Sequence, residues 1–270
     1  MHRQYVHVGS RTIAYFDTAP EAVSLPVMVL VHAFPLAGTM WEPQLRAAPA
    51  GWRLLAPDLR GFGGSTDADA GNPSMADYAQ DVIDLVRELG LSKVVVAGQS
   101  MGGYAAFALL RQAPELIRAL VLADTRATAD SLEARGNRRS MLALIDREGP
   151  SGVAREMPAT LLGAGTREQR SDLEATVRRI IKQQSPSAIR GAVVRMMERP
   201  DSTALLPSVA VPCLVIVGEE DVLTPPDVAR AMAASIPGAT LSVIAGAGHL
   251  CSLEQPEAFN TAVEAFLSRL

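Results

Sequence analysis

Residues 94–107 read VVVAGQSMGGYAAF. Apolar residues run into Gly98, Gln99, Ser100, Met101, Gly102 and Gly103, and the segment then becomes helical in character. The pattern Gly-x-Ser-x-Gly therefore falls where a buried strand meets a helix. In such a turn the serine occupies a strained backbone, and its neighbours must be small to avoid clashes. The hydroxyl then stands above the strand ends, and the free N–H groups opening the helix favour developing negative charge. Ser100 is the candidate nucleophile.

A serine hydroxyl needs a base, and the chain has only four histidines. His2 and His7 lie in an N-terminal hairpin, and His32 ends the third strand. His249, in AGAGHLCSLEQP (245–256), directly follows the last strand, where a loop can cross the carboxyl edge of a sheet. Elimination selects His249. A carboxylate must then fix its tautomer and stabilise the imidazolium. The stretch LVIVGEEDVLTPP (214–226) supplies Glu219, Glu220 and Asp221, of which Asp221 lies furthest into the loop. Asp124, ending the sixth strand, is the alternative. Acyl transfer also needs oxyanion donors. The backbone N–H groups of Phe34, in LVHAFPLAGTMW (30–41), and of Met101 are placed for this, whereas Pro35 has no N–H. His32 is expected to hold its loop by hydrogen bonds rather than to move a proton.

Eight short β-branched runs bounded by turn residues predict strands at 4–9, 11–17, 26–32, 52–58, 93–98, 119–124, 213–219 and 240–246. The first two form a hairpin through Gly9 and Ser10. From Pro26 onward strands alternate with helical patterns, which predicts a mostly parallel sheet covered on both faces. In 74–90, Tyr78, Val82, Leu85, Val86 and Leu89 share one helix face, and Gly90 stops the helix. The alternation breaks between Arg126 and Leu206, where only helical periods occur: 130–148, 152–162, 167–184 and 186–199. Residues 126–206 read as an all-helical cap inserted in an α/β core of 1–125 and 207–270. The insertion carries 14 Lys+Arg against 10 Asp+Glu, including 13 arginines, while the remainder is strongly acidic. Most of those arginines are expected in solvent.

The 270 residues, 48% hydrophobic, can bury a sizeable core. A formal net charge of -4 gives no reason to expect nucleic acid. No apolar run approaches the roughly 18 residues of a membrane span, and the N-terminus lacks a signal-peptide pattern. A cytoplasmic protein without membrane contact is expected; a homo-oligomer is left open. Cys213 and Cys251 are too few for a disulfide framework and read as free thiols. No zinc motif is present, and RGFGGS (60–65) lacks the lysine spacing of a phosphate loop. The chemistry needs no metal and no cofactor.

Several stretches in order carry a resemblance: HAFP (32–35), PDLRGFGGS (57–65), GQSMGG (98–103), GEED (218–221) and GAGH (246–249). Over nearly its full length the chain resembles the α/β-hydrolase fold superfamily, closest to bacterial carboxylesterases and enol-lactonases with a helical cap. Ala33 stands where the family's oxyanion loop usually has glycine. The resemblance implies a serine hydrolase acting on small carboxylic esters through an acyl-enzyme. Alternatives are an enol-lactone or other lactone hydrolase, a carbon–carbon bond hydrolase, and a non-catalytic small-molecule receptor. Serine at position 100 argues against dehalogenase or epoxide hydrolase chemistry, which uses aspartate there in resembling proteins.

Overall fold

The computed structural model describes residues 2–66 and 73–270. The strands are β1 (Arg3–Val8), β2 (Arg11–Asp17), β3 (Val27–Val31), β4 (Arg53–Pro57), β5 (Val94–Gln99), β6 (Ile117–Ala123), β7 (Cys213–Gly218) and β8 (Thr240–Ile244). They form one sheet in the order β1-β2-β4-β3-β5-β6-β7-β8. β1 pairs antiparallel with β2, and β2 antiparallel with β4. Every pairing from β4 to β8 is parallel. β3, β4, β5 and β7 are buried along their whole length. Continuous Val/Leu runs form such strands because both faces are covered by helices. Each fully buried Val, Leu or Ile side chain contributes about 1.5–3 kcal/mol.

The helices are α1 (Glu42–Arg46), α2 (Met75–Glu88), α3 (Met101–Gln112), α4 (Leu132–Glu156), α5 (Pro158–Leu161), α6 (Ala164–Gln169), α7 (Ser171–Lys182), α8 (Pro186–Glu198), α9 (Pro226–Ser235), α10 (Cys251–Glu254) and α11 (Pro256–Leu267). α2 shows how sequence sets the local structure. Ser74 caps it in a reciprocal capping box with Asp77. Tyr78, Val82, Leu85 and Val86 are buried, and Gly90 takes the left-handed φ of 65° that ends the helix.

Helices α4–α8 form the insertion between β6 and β7. The sequence predicts separate helices at 130–148 and 152–162, and the structure breaks α4 at Gly149, whose φ is 60°, before Pro150. The predicted single helix at 167–184 is instead two, α6 and α7, parted at Arg170 with non-helical φ -124° and ψ 60°. The insertion shares one continuous buried cluster with the core, to which Leu144, Val153, Val177, Ile180, Ile189 and Val193 belong. Its two ends meet in a closed neck. Ser202 N–H donates to the Ala127 carbonyl at 2.8 Å, and Ala129 N–H to Asp201 Oδ2 at 3.0 Å.

Because β3 to β8 run parallel, the segments after β3, β5, β6, β7 and β8 emerge along one edge. That edge requires close backbone approach at Gly102, where a Cβ would lie 2.1 Å from the Val31 carbonyl oxygen. By contrast, a Cβ on Gly136 in α4 meets nothing within 4 Å. Gly102→Ala is expected to lose at least about 1–3 kcal/mol by overpacking. Gly136→Ala is expected to gain up to about 1 kcal/mol of helix propensity. Urea unfolding of both variants checks this; equal stabilities would contradict the packing at Gly102.

Candidate active site

Ser100 lies between the end of β5 and the start of α3. Its φ is 54° and ψ -112°. A left-handed serine persists only where its surroundings fix it. Ser100 N–H donates to the Ala123 carbonyl at 2.9 Å, and its own carbonyl accepts from Gly103 N–H at 2.9 Å and Thr125 Oγ1 at 2.8 Å. The flanking glycines are sterically required. A Cβ on Gly98 would approach the Gly102 carbonyl to 2.3 Å, and one on Gly103 would approach Thr125 Oγ1 to 2.4 Å.

The sequence-predicted Ser100, His249 and Asp221 converge. His249 Nε2 is 2.7 Å from Ser100 Oγ, and Nδ1 is 2.8 Å from Asp221 Oδ2. An ionised carboxylate can only accept, so Nδ1 carries the proton and Nε2 accepts from the serine hydroxyl. All three are buried. Asp221 Oδ1 accepts from Leu223 N–H at 2.8 Å and Thr224 N–H at 2.9 Å, and Oδ2 accepts from the Thr224 hydroxyl. Burial pushes the Asp221 pKa up, but attraction to His249 and the bonds from His249 and Thr224 outweigh it, leaving it lowered. For His249 burial acts downward, and attraction and hydrogen bonding from Asp221, with attraction from Asp124, outweigh it, so its pKa is raised.

Asp124, the alternative acid, is not bonded to the imidazole. Its Oδ1 accepts from Gly218 N–H at 2.8 Å and Oδ2 from Gln99 Nε2 at 2.8 Å. Gln99 Nε2 also donates to the His249 carbonyl at 3.1 Å, and Gln99 Oε1 accepts from Ser252 Oγ at 2.6 Å. Asp124 thus braces the backbone beneath His249. Burial and repulsion from Asp221 raise its pKa to about 7. Sequence reasoning passed over Gln99 and Thr224. The available signal was a glutamine inside an otherwise apolar buried strand, since such a group must find partners.

Phe34 follows β3, and Met101 is the first residue of α3, where N–H groups have no partner within the helix. The close packing of Gly102 on Val31 and His32 sets these two turns side by side. His32 Nε2 accepts from Leu59 N–H and its Nδ1 donates to the Ala33 carbonyl, both at 3.1 Å. Burial lowers its pKa to about 4, so it is a neutral loop brace. Asp58 anchors the same loop, accepting from Gly38 N–H and Gly64 N–H, each at 2.8 Å.

Cys251, two residues after His249, is fully buried, and burial raises its thiol pKa far above the ordinary value. Burial raises that of Cys213 to about 12. Neither thiol is an available nucleophile. Among the described residues no group of three or more His, Cys, Asp or Glu could hold a metal ion, and no helix is long and apolar enough to cross a membrane. The cap arginines are not all in solvent. Arg195 and Arg199 turn inward. Arg195 stacks over Tyr78 at 4.7 Å and reaches Asp77 at 3.3 Å. Arg199 stacks over Tyr104 at 4.0 Å and pairs with Asp130 at 2.7 Å. These two moor the cap.

Solved structures share this fold over nearly the whole chain. A thermophilic esterase from Thermogutta terrifontis, with malate bound, is 38% identical, with a TM-score of 0.91 over 100% of this chain and 99% of that one. The enol-lactonase from Burkholderia xenovorans LB400 is 26% identical, with a TM-score of 0.90 over 98% and 100%. RutD of Caulobacter sp. (strain K31), a proposed carbamate hydrolase, is 31% identical over 234 residues, 86% of this chain and 87% of RutD. Residues 26–256, from β3 to the helix after His249, match a single family. The chain belongs to the alpha/beta hydrolase fold family.

Proposed function

We propose that this chain is a serine hydrolase that cleaves small carboxylic esters through an acyl-enzyme. The observation carrying the proposal is the bridging imidazole: one ring nitrogen is 2.7 Å from the serine hydroxyl and the other 2.8 Å from a buried carboxylate. Ser100 attacks the ester carbonyl as its proton passes to His249. Asp221 keeps the imidazole oriented and stabilises the imidazolium. The N–H groups of Phe34 and Met101 receive the oxyanion. His249 then protonates the leaving alcohol and activates the water that releases the acid. The esterase and enol-lactonase relatives support ester or lactone chemistry on this scaffold. Residues 126–206 act as the specificity cap on a core of 1–125 and 207–270. That segment contains no Phe, Tyr, Trp or His. Where its Leu, Ile, Val, Ala and Met side chains face Ser100, the acyl pocket has aliphatic walls, which favour neutral acyl groups of short or medium length.

A second reading, a lactone bearing a carboxylate, is favoured by Arg126. Its guanidinium donates to the Leu223 carbonyl on the Asp221 loop, and among the described residues its buried Nε has no hydrogen-bond partner. A panel of p-nitrophenyl esters and carboxylate-bearing lactones at low and high salt separates the two readings. Higher kcat/KM for the neutral butyrate ester is expected. A preference for the anion that weakens with salt would replace the ester reading with the lactone one.

Ser100→Ala is expected to fold and to lose several orders of magnitude in kcat; retention of more than about a tenth of the rate rules out Ser100 as nucleophile. Asp221→Asn is expected to lose up to about 10⁴-fold, as when the tautomer is wrong. Asp124→Asn is expected to lose at least about tenfold less, because Asp124 does not touch the ring. The reverse ranking would move the acid to the sixth strand.

The acid limb of kcat/KM gives a further check. Only neutral His249 can accept the serine proton, so the rate rises as pH passes its pKa. Asp221 raises that pKa, so the midpoint is expected above the ordinary 6.5. A flat profile from about pH 5 to 8 would contradict a histidine base.

A further inference from the structure

Glu254 ends α10, five residues beyond His249, and is buried. Its carboxylate makes no contact with the imidazole, yet three backbone N–H groups converge on it. Gly248 N–H and Leu250 N–H donate to Oε1 at 3.0 and 3.1 Å. Gly163 N–H donates to Oε2 at 2.8 Å. The first two residues flank His249 on either side. The third is in the cap, at the turn between α5 and α6. Bonds to an ionised acceptor are among the stronger hydrogen bonds. One buried carboxylate therefore ties both shoulders of His249 to the cap.

The surrounding backbone leaves no slack. A Cβ on Gly248 would fall 2.3 Å from Gly163 N, and one on Gly218 would fall 2.0 Å from the Gly248 carbonyl oxygen. The His249 loop is thus sandwiched between the end of β7 and the cap turn. Leu250 N–H is shared with the Leu161 carbonyl at 3.1 Å, and Glu220 N–H holds the Ala247 carbonyl at 2.8 Å. Glu220 Oε2 faces the same cap turn, 3.5 Å from Gly165 N. A displacement of the turn at 161–165 must pass to His249, whose ring has 2.7 Å to span to Ser100.

We propose that Glu254 is a positioning residue that makes seating of the cap a condition for the reach of His249 to Ser100. The proposal rests on the serine-hydrolase reading above. It deepens that reading by giving the cap a role in assembling the proton-transfer pair as well as in shaping the acyl pocket. Closed and correctly docked, the cap holds the base at bonding distance. Loosened, it lets the loop relax and the transfer distance grow.

Three variants test this. Glu254→Gln keeps the shape of the side chain but replaces one acceptor oxygen by an amide donor, which faces an N–H. Gly163→Pro removes the cap-side donor and sets the ring Cδ against Glu254 Oε2 in its place, so it breaks this tie from the cap side. Gly163 has φ -58° and ψ 156°, a conformation proline adopts, and Leu162 before it is extended at φ -112° and ψ 141°. Gly163→Ala keeps the N–H and serves as the control for added bulk. A Cβ at this position comes within 2.7 Å of the flexible end of Glu220, 3.1 Å of Gly248 N and 3.3 Å of Glu254 Oε2, so this variant reports the effect of bulk at the tie with its N–H donor retained.

Each variant is assayed as folded full-length protein with an activated ester, beside Ser100→Ala. Glu254→Gln is expected to lower kcat at least about tenfold, toward the roughly hundredfold cost of a 1 Å misplacement, with KM changed less than about threefold. Gly163→Pro is expected to lose at least about fivefold more kcat than Gly163→Ala. The low-field proton resonance of the His249 Nδ1–H bonded to Asp221 is expected to shift or broaden in Glu254→Gln and Gly163→Pro but not in Gly163→Ala. Lower melting temperatures with unchanged kcat and an unmoved resonance would make Glu254 a purely structural tie and overturn the proposal. If Glu254→Gln fails to fold, the Gly163 pair decides. Equal kcat in Gly163→Pro and Gly163→Ala overturns the proposal. An active Ser100→Ala would instead overturn the serine-hydrolase reading, whatever the Glu254 result.

Discussion

The left-handed backbone at Ser100 constrains everything around it. A serine with φ 54° is costly for an L-residue, by about 1–3 kcal/mol. It persists because Gly98, Gly102 and Gly103 around it have no side chains and because its N–H and carbonyl are both held. That requirement forces α3 to descend directly onto the end of β3, with Gly102 against Val31. The same contact sets the turn bearing Phe34 beside the turn bearing Met101. The Ser100 hydroxyl and the N–H groups of Phe34 and Met101 are therefore brought together by one steric event, and no separate element is needed to align them.

Buried carboxylates complete the site, each with a distinct set of partners. Asp221 holds the imidazole, Asp124 braces Gln99 and the end of β7, Asp58 anchors the loops at Gly38 and Gly64, and Glu254 gathers the His249 loop and the cap. None is free to ionise without compensation, since isolated buried charge is strongly unfavourable. Glu254 accepts from three backbone N–H groups, Asp58 from two together with an ion pair to Arg3 at 3.0 Å, and Asp124 from Gly218 N–H together with the Gln99 amide, so backbone donors contribute in each case. Such donors cannot swing away as a lysine or arginine side chain can, so the site is held in one geometry before substrate arrives. Preorganised polar groups of this kind need little rearrangement at the moment of reaction.

The eight strands, and the meeting of Ser100, Asp221 and His249 at one sheet edge, are legible because they lie where short-range patterns are strongest: β-branched runs, a glycine-flanked serine and loops that follow strands directly. Which of Asp221 and Asp124 meets the imidazole is not written in short-range pattern. Both end adjacent parallel strands, and only the path of the chain after β7 brings Asp221 to Nδ1. The division of 167–184 into α6 and α7 escaped because Arg170 carries no breaker signal in its own sequence. The inward turn of Arg195 and Arg199 escaped because it depends on Tyr78 and Tyr104, which are distant in sequence. Glu254 escaped for the same reason, as one of its three donors comes from Gly163, 91 positions away.

The closed neck of the insertion has an evolutionary consequence. Ala127 and Ser202 bond across the point where the chain leaves and re-enters the core, so the sheet sees a short bridge whatever hangs beyond it. Once such ends are joined, lengthening or recasting the intervening segment costs little in closure entropy, about 0.6 kcal/mol for each doubling. New substrate ranges can therefore arise by exchange of the hanging segment while the sheet goes on folding around an unchanged sequence. The tie at Gly163 then marks one position that each replacement segment must reproduce.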